Sequence, residues 1–146
     1  MKRLRQPRSL QEGVMLLEAL LGILIFSVGI LAVVGMQSMA VKTVAESKYR
    51  MDASFLANEV IGDMWVNRSN LASYAYTGGT YPAVLTGWGA RLESSLPGIA
   101  DNPPEIEIGA GNTVTVTIYW QHPEEAGLTP KPSPHEYKAI TSINCC

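Results

Sequence analysis

Two changes of hydrophobic pattern divide the chain. From Val14 to Val41, 21 of 28 residues are apolar, and the 23 residues from Ala19 to Val41 carry no charge. As a helix the uncharged stretch rises ~34 Å at ~1.5 Å per residue, enough for a hydrocarbon core of ~30 Å. From Val41 onward the apolar residues narrow to one stripe. Val41, Ala45, Tyr49, Ala53, Leu56, Val60 and Met64 recur at helical spacing, while Lys42, Glu46, Lys48, Arg50, Asp52, Glu59 and Asp63 supply most of the polar faces. No Pro lies between Pro7 and Pro82 and no Gly between Gly35 and Gly62, so the pattern predicts one helix from about Val14 to about Arg68. Its outer half is amphipathic and requires a cover.

The second change comes after residue 70. Gly78-Gly79, Pro82, Gly87, Gly89, Leu96-Pro97-Gly98 and Pro103-Pro104 mark a turn-rich connection with room for one short helix around Ala90 to Leu96. Strand signals follow. Glu105 to Ile108 alternates, Gly109 to Asn112 is a turn, and Thr113 to Trp120 reads TVTVTIYW, which together predict a hairpin. A proline-bracketed loop then leads to a third strand over Glu136 to Ile143. A small antiparallel meander has one apolar face to bury, and the helical stripe can supply its cover. The fold class expected is α+β.

Composition narrows the function classes. At 146 residues the chain holds one globular domain at most, and 47% hydrophobic with 16% charged residues excludes wholesale disorder. With 11 Lys+Arg against 13 Asp+Glu there is no basic stripe for nucleic acid. A single long apolar stretch excludes a channel or transporter built from this chain alone.

Candidate chemistry is sparse. His122 and His135 sit in proline-flanked loops and read as solvated side chains, and a Cys-His or Ser-His-acid arrangement would require remote residues that the sequence does not place, so no catalytic residue, cofactor or metal is expected. Glu124-Glu125 and Asp101-Asn102 offer oxygen atoms but no calcium-loop spacing, and read as surface charge. Cys145 and Cys146 are vicinal, so a bond between them closes no structural loop, and they are too few for a zinc site by themselves. A disulfide between the two, a bridge to a partner subunit and free thiols all stay open.

The N-terminus carries the most specific signal. Residues 1–13, with Lys2, Arg3, Arg5 and Arg8 against Glu12, have a net charge of +3, which keeps the N-terminus cytoplasmic and places the remainder outside. The apolar run is too long for a secretory signal peptide, and no A-x-A cleavage site follows it. Glu18, at the start of a membrane helix, is a functional suspect in need of a partner.

The run Gly13-Val14-Met15-Leu16-Leu17-Glu18, after a basic leader and before an apolar helix, resembles the class III leader of type IV prepilins and pseudopilins. The resemblance implies cleavage between Gly13 and Val14, N-methylation of Val14, and Glu18 as the fifth mature residue, pairing with the amine of a neighbouring subunit during assembly. Val14 and Met15 depart from the Phe and Thr usual in that family. The subsequent run to Leu31, and Leu96-Pro97-Gly98 followed by a Thr-Val-Thr-Val strand ending in Trp120, look most like the PilV-type minor pilins.

On that resemblance the chain divides into a cleaved leader (1–13), a transmembrane and filament-core half of the helix (14–41), its amphipathic half (42–70), and a loop-and-β head (71–146), the pilin "lollipop". It also implies a minor pilin, not an enzyme, supporting pilus assembly and hence motility or adhesion. The partners implied are the prepilin peptidase and methyltransferase, other minor and major pilins and an inner-membrane assembly platform, with the head periplasmic before it reaches the pilus. Two alternatives are a minor pseudopilin of a type II secretion system, separable by gene neighbourhood, and a membrane-tethered periplasmic binding module, which would keep its leader.

Overall fold

The structure, a computed structural model, describes residues 9–125 and 127–144, with side chains from Gly13 onward. Its elements are α1 (Ser9–Val66), α2 (Thr86–Ser95), β1 (Glu105–Ile108), β2 (Thr113–Trp120) and β3 (His135–Ser142), with 3-10 turns between several of them. Two compact units divide within α1, one ending at Val44 and the other beginning at Ala45. The helix starts earlier than expected, before Gly13 rather than at Val14. Among the described residues the helix already includes Ser9 to Glu12, and Gln11 and Glu12 are good helix formers.

In the first unit every side chain from Gly13 to Val44 is exposed. In the second, the helix from Ala45 supplies one wall of a core. Ala53, Leu56, Ala57, Val60 and Met64 are buried against Ile106, Val114, Val116, Ile118 and Trp120 of the sheet, with Leu85, Trp88 and Leu92 beside them. The buried stripe begins later than the sequence pattern suggested. Val41 is exposed, Ala45 and Tyr49 are half-buried, and full burial starts at Ala53. Helical period alone continues through Val41, whereas burial requires something to pack against.

The sheet is the expected antiparallel meander in the order β1-β2-β3. Ile106 pairs with Val116 and Ile108 with Val114, while Val116 pairs with Ala139, Ile118 with Tyr137 and Trp120 with His135. Directly paired residues point to the same face, so this register gathers the apolar side chains on the helix side. The Ser54 hydroxyl donates to Tyr137 Oη at 3.2 Å, linking α1 to β3. Tyr76 exchanges two backbone hydrogen bonds with Ile106 and covers part of the outer edge of β1.

The second helix corrects the sequence reading at its start. α2 includes Gly87-Trp88-Gly89, which read as turn residues. Trp88 is 2% exposed and its indole N–H donates to Leu56 O at 2.9 Å, so the core draws this segment in. Gly89 is required by a close approach: a Cβ there would lie 2.6 Å from the Tyr81 ring, which stacks on Tyr76 with centroids 4.8 Å apart. Burial, then the neighbouring Tyr76 and Glu93, pushes the Tyr81 hydroxyl up to about 12. Gly89→Ala should therefore lose stability by about 1–3 kcal/mol through overpacking, outweighing a helix-propensity gain of ~1 kcal/mol. Gly87→Ala, whose Cβ would meet only Arg91 Nη1 at 3.7 Å, should be neutral or slightly stabilising. Thermal unfolding of the two variants followed by circular dichroism checks the opposite signs.

Candidate functional site

Two places bring together residues with chemistry, one in each unit. In the first, α1 carries Gly13, Val14 and Glu18 on an uninterrupted, exposed helix. Val14 and Glu18 are one turn apart and so share a face. Around and beyond them the exposed side chains are almost all apolar, from Leu16 and Leu17 through Leu20, Ile25, Phe26 and Leu31 to Met36 and Met39. The few hydroxyls in this run turn back on the helix: Ser27 Oγ donates to Ile23 O at 2.7 Å and Ser38 Oγ to Val34 O at 3.2 Å. Polar groups satisfied within the helix are what a hydrocarbon environment demands. Among the described residues α1 is the one helix long and apolar enough to cross a membrane. Glu18 is the exception on this surface, a carboxylate with no ion-pair partner among the described residues.

The second place was not expected. Glu46 on α1, His122 just after β2 and His135 at the start of β3 converge, with one ligand atom from each within 4.8 Å of the others. His122 Nε2 lies 2.5 Å from Glu46 Oε2, and His135 Nδ1 lies 3.4 Å from Glu46 Oε1. The other nitrogen of His135, Nε2, faces Glu125 Oε1 at 3.3 Å. Aromatic rings hold the imidazoles: Trp120 stacks on His135 at 5.8 Å, and Tyr49 meets His122 edge-on at 5.3 Å.

This arrangement corrects the reading of both histidines as solvated loop residues. His135 belongs to a strand, directly opposite Trp120, and His122 follows Trp120 by two residues, so the β2–β3 register sets them side by side with ring centroids 5.0 Å apart. Glu46 also leaves its expected place on a polar face and sits half-buried, one helical turn before Tyr49. Burial acts to raise the Glu46 carboxyl, but the hydrogen bond to His122 and the charges of both imidazoles outweigh it and hold the carboxyl below its ordinary range. The indole N–H of Trp120 also favours that charge. Trp120 Nε1 and Glu125 Oε2 are both buried without a hydrogen-bond partner.

Comparison with protein-family models, curated proteins and solved structures finds no match. The two sites are therefore read from their own residues. Of the residues singled out in the sequence, the structure brings Gly13, Val14 and Glu18 onto one helix. Cys145 and Cys146, with their possible disulfide, lie outside the described residues, as does the leader up to Arg8. Asp101 meets Lys131 at 3.3 Å in an exposed ion pair, in keeping with surface charge.

Proposed function

We propose that the chain is a minor type IV pilin of the PilV type, processed after Gly13 and incorporated into a filament through its N-terminal helix. The observation that carries this reading is the sequence register: a basic leader, Gly13, Glu18 five residues on, and then an uncharged apolar run. Two features of the fold support it. An exposed apolar helix surface from Val14 to Val44 needs either lipid or other helices around it, and the same helix from Ala45 packs on a three-stranded antiparallel sheet.

The chemistry of cleavage follows from helix physics. Cutting before Val14 creates a positively charged amine at the helix N-terminus, where unpaired N–H groups and the macrodipole already concentrate positive potential. Glu18, one turn along, offsets that potential within a subunit. Its carboxylate can also accept the amine of a neighbouring subunit once the helices pack side by side away from water. Ionic attraction grows as the dielectric falls, and an unpaired charge becomes costly, so one stagger between subunits is favoured.

On this reading the membrane is the store and the filament the destination. Removal of the leader leaves 133 residues with 7 basic and 12 acidic side chains, a net charge of −5. Gly13→Asp, co-expressed with a prepilin peptidase, is expected to stay full-length on a gel while the wild type shortens by 13 residues. Equal mobility of the two because neither is cut would overturn the reading.

A further inference from the structure

We propose that Glu46, His122 and His135 bind a divalent transition-metal ion of the zinc class, clamping the start of the packed part of α1 to the loop end of the β2–β3 hairpin. Two imidazole nitrogens with one carboxylate oxygen form a donor set suited to zinc and its neighbours, and poorly suited to calcium or magnesium, which take oxygen ligands. The three ligand atoms lie within 4.8 Å of one another. Zinc bonds of ~2.0–2.1 Å in a tetrahedron place ligands about 3.3 Å apart, so the widest separation needs to close by about 1.5 Å at most and the His122–Glu46 contact of 2.5 Å to open by about 0.8 Å. The fourth position is open to water, since the Glu46 and His135 side chains keep 38% and 35% exposure.

The surroundings fit a cation better than they fit neutral imidazoles alone. His135 lies between two carboxylates, with Nδ1 facing Glu46 and Nε2 facing Glu125. A neutral imidazole has one proton, so one carboxylate would face a nitrogen lone pair. Assigning the proton to Nε2 gives the hydrogen bond to Glu125 and leaves Nδ1 free to coordinate, the histidine–carboxylate arrangement that orients metal ligands. The orphaned Glu125 Oε2 adds buried negative charge beside the cluster. Glu125 is thus a positioning residue, and Glu46, His122 and His135 are the ligands.

The proposal does not depend on N-terminal processing, because all four residues lie in the second unit. The test uses the full chain in detergent, without a polyhistidine tag, carrying Cys145→Ser and Cys146→Ser, stripped with chelator and titrated with Zn²⁺ by calorimetry. About one ion per chain is expected, with no comparable uptake of Ca²⁺. At a free Zn²⁺ concentration a hundredfold above Kd, the melting temperature should rise by on the order of 10 °C.

His122→Ala and His135→Ala should abolish uptake, and Glu125→Gln should weaken it by about 10–100-fold. Circular dichroism of the metal-free variants establishes that they are folded. Should they not fold, Co²⁺ added to the chain with its histidines intact decides, since tetrahedral nitrogen and oxygen ligation gives intense visible absorption. Absence of stoichiometric Zn²⁺ uptake, uptake that survives in folded histidine variants, or absence of the Co²⁺ bands would each overturn the site.

Discussion

Glu18→Val is expected to leave the chain inserted in the membrane while abolishing its entry into filaments. The two halves of that result have opposite physical origins. A carboxylate at the centre of a membrane helix costs on the order of 2.5–3.5 kcal/mol and less near the edge, so replacing Glu18 with an apolar residue can only favour insertion. Filament entry moves the other way. If the amine of Val14 pairs with Glu18 of a neighbour, the variant leaves that amine buried and unpaired, and breaking a buried pair this way costs about 3–5 kcal/mol. At ~1.4 kcal/mol per tenfold, incorporation should fall at least a hundredfold. Membrane fractionation and immunoblotting of sheared filaments, in cells with a complete pilus machinery, measure the two halves separately. Normal incorporation of the variant would remove Glu18 from the assembly account.

The second large effect belongs to the head. Trp88→Ala is expected to destabilise the chain by about 3–5 kcal/mol, the range for deleting a buried large aromatic side chain. Trp88 is 2% exposed in the core that α1, α2 and the sheet share, so the vacated volume borders three elements. Its hydrogen bond contributes less. Leu56 O belongs to a helix carbonyl that also has its backbone ladder, so Trp88→Phe, which keeps most of the volume, should lose only ~1 kcal/mol. For a head of this size each kcal/mol moves the melting temperature by about 4–8 °C, which separates the two variants by at least roughly 10 °C. Equal losses would assign the effect to the hydrogen bond instead of the packing.

Much of the fold is legible along the chain, and the misreadings have physical causes. β1 and β2 fall at the predicted residues because alternation and β-branched side chains agree with each other over Glu105 to Ile108 and Thr113 to Trp120. β3 is displaced by one residue, to His135–Ser142, because its proline-bracketed approach hides where pairing with Trp120 begins. The apolar helix from Val14 to Val41 is legible along the chain, since its described side chains are exposed and no packing competes with the pattern there, although the helix itself begins before Val14. α2 was placed too late because Gly87 and Gly89 signal turns locally. Only the Tyr81 ring, brought in by the tertiary fold, explains a glycine inside that helix.

The candidate sites divide along the same line. Gly13, Val14 and Glu18 are neighbours in sequence, so their spacing is visible without a structure. Glu46, His122 and His135 span 90 positions and meet only through hairpin register and helix packing. One signal was available. If Trp120 is paired with His135 across the hairpin, His122 comes beside it, and a carboxylate flanked by Ala45 and Tyr49 on the apolar stripe becomes the third member. Counting Glu46 with the polar faces obscured that signal.

The leader reading stands or falls at a single peptide bond. N-terminal sequencing of the mature protein, purified from cells that contain a prepilin peptidase, should begin at Val14, with the N-methyl group detected by mass. A mature chain beginning at Met1, or at any residue beyond the apolar run, would contradict the pilin account.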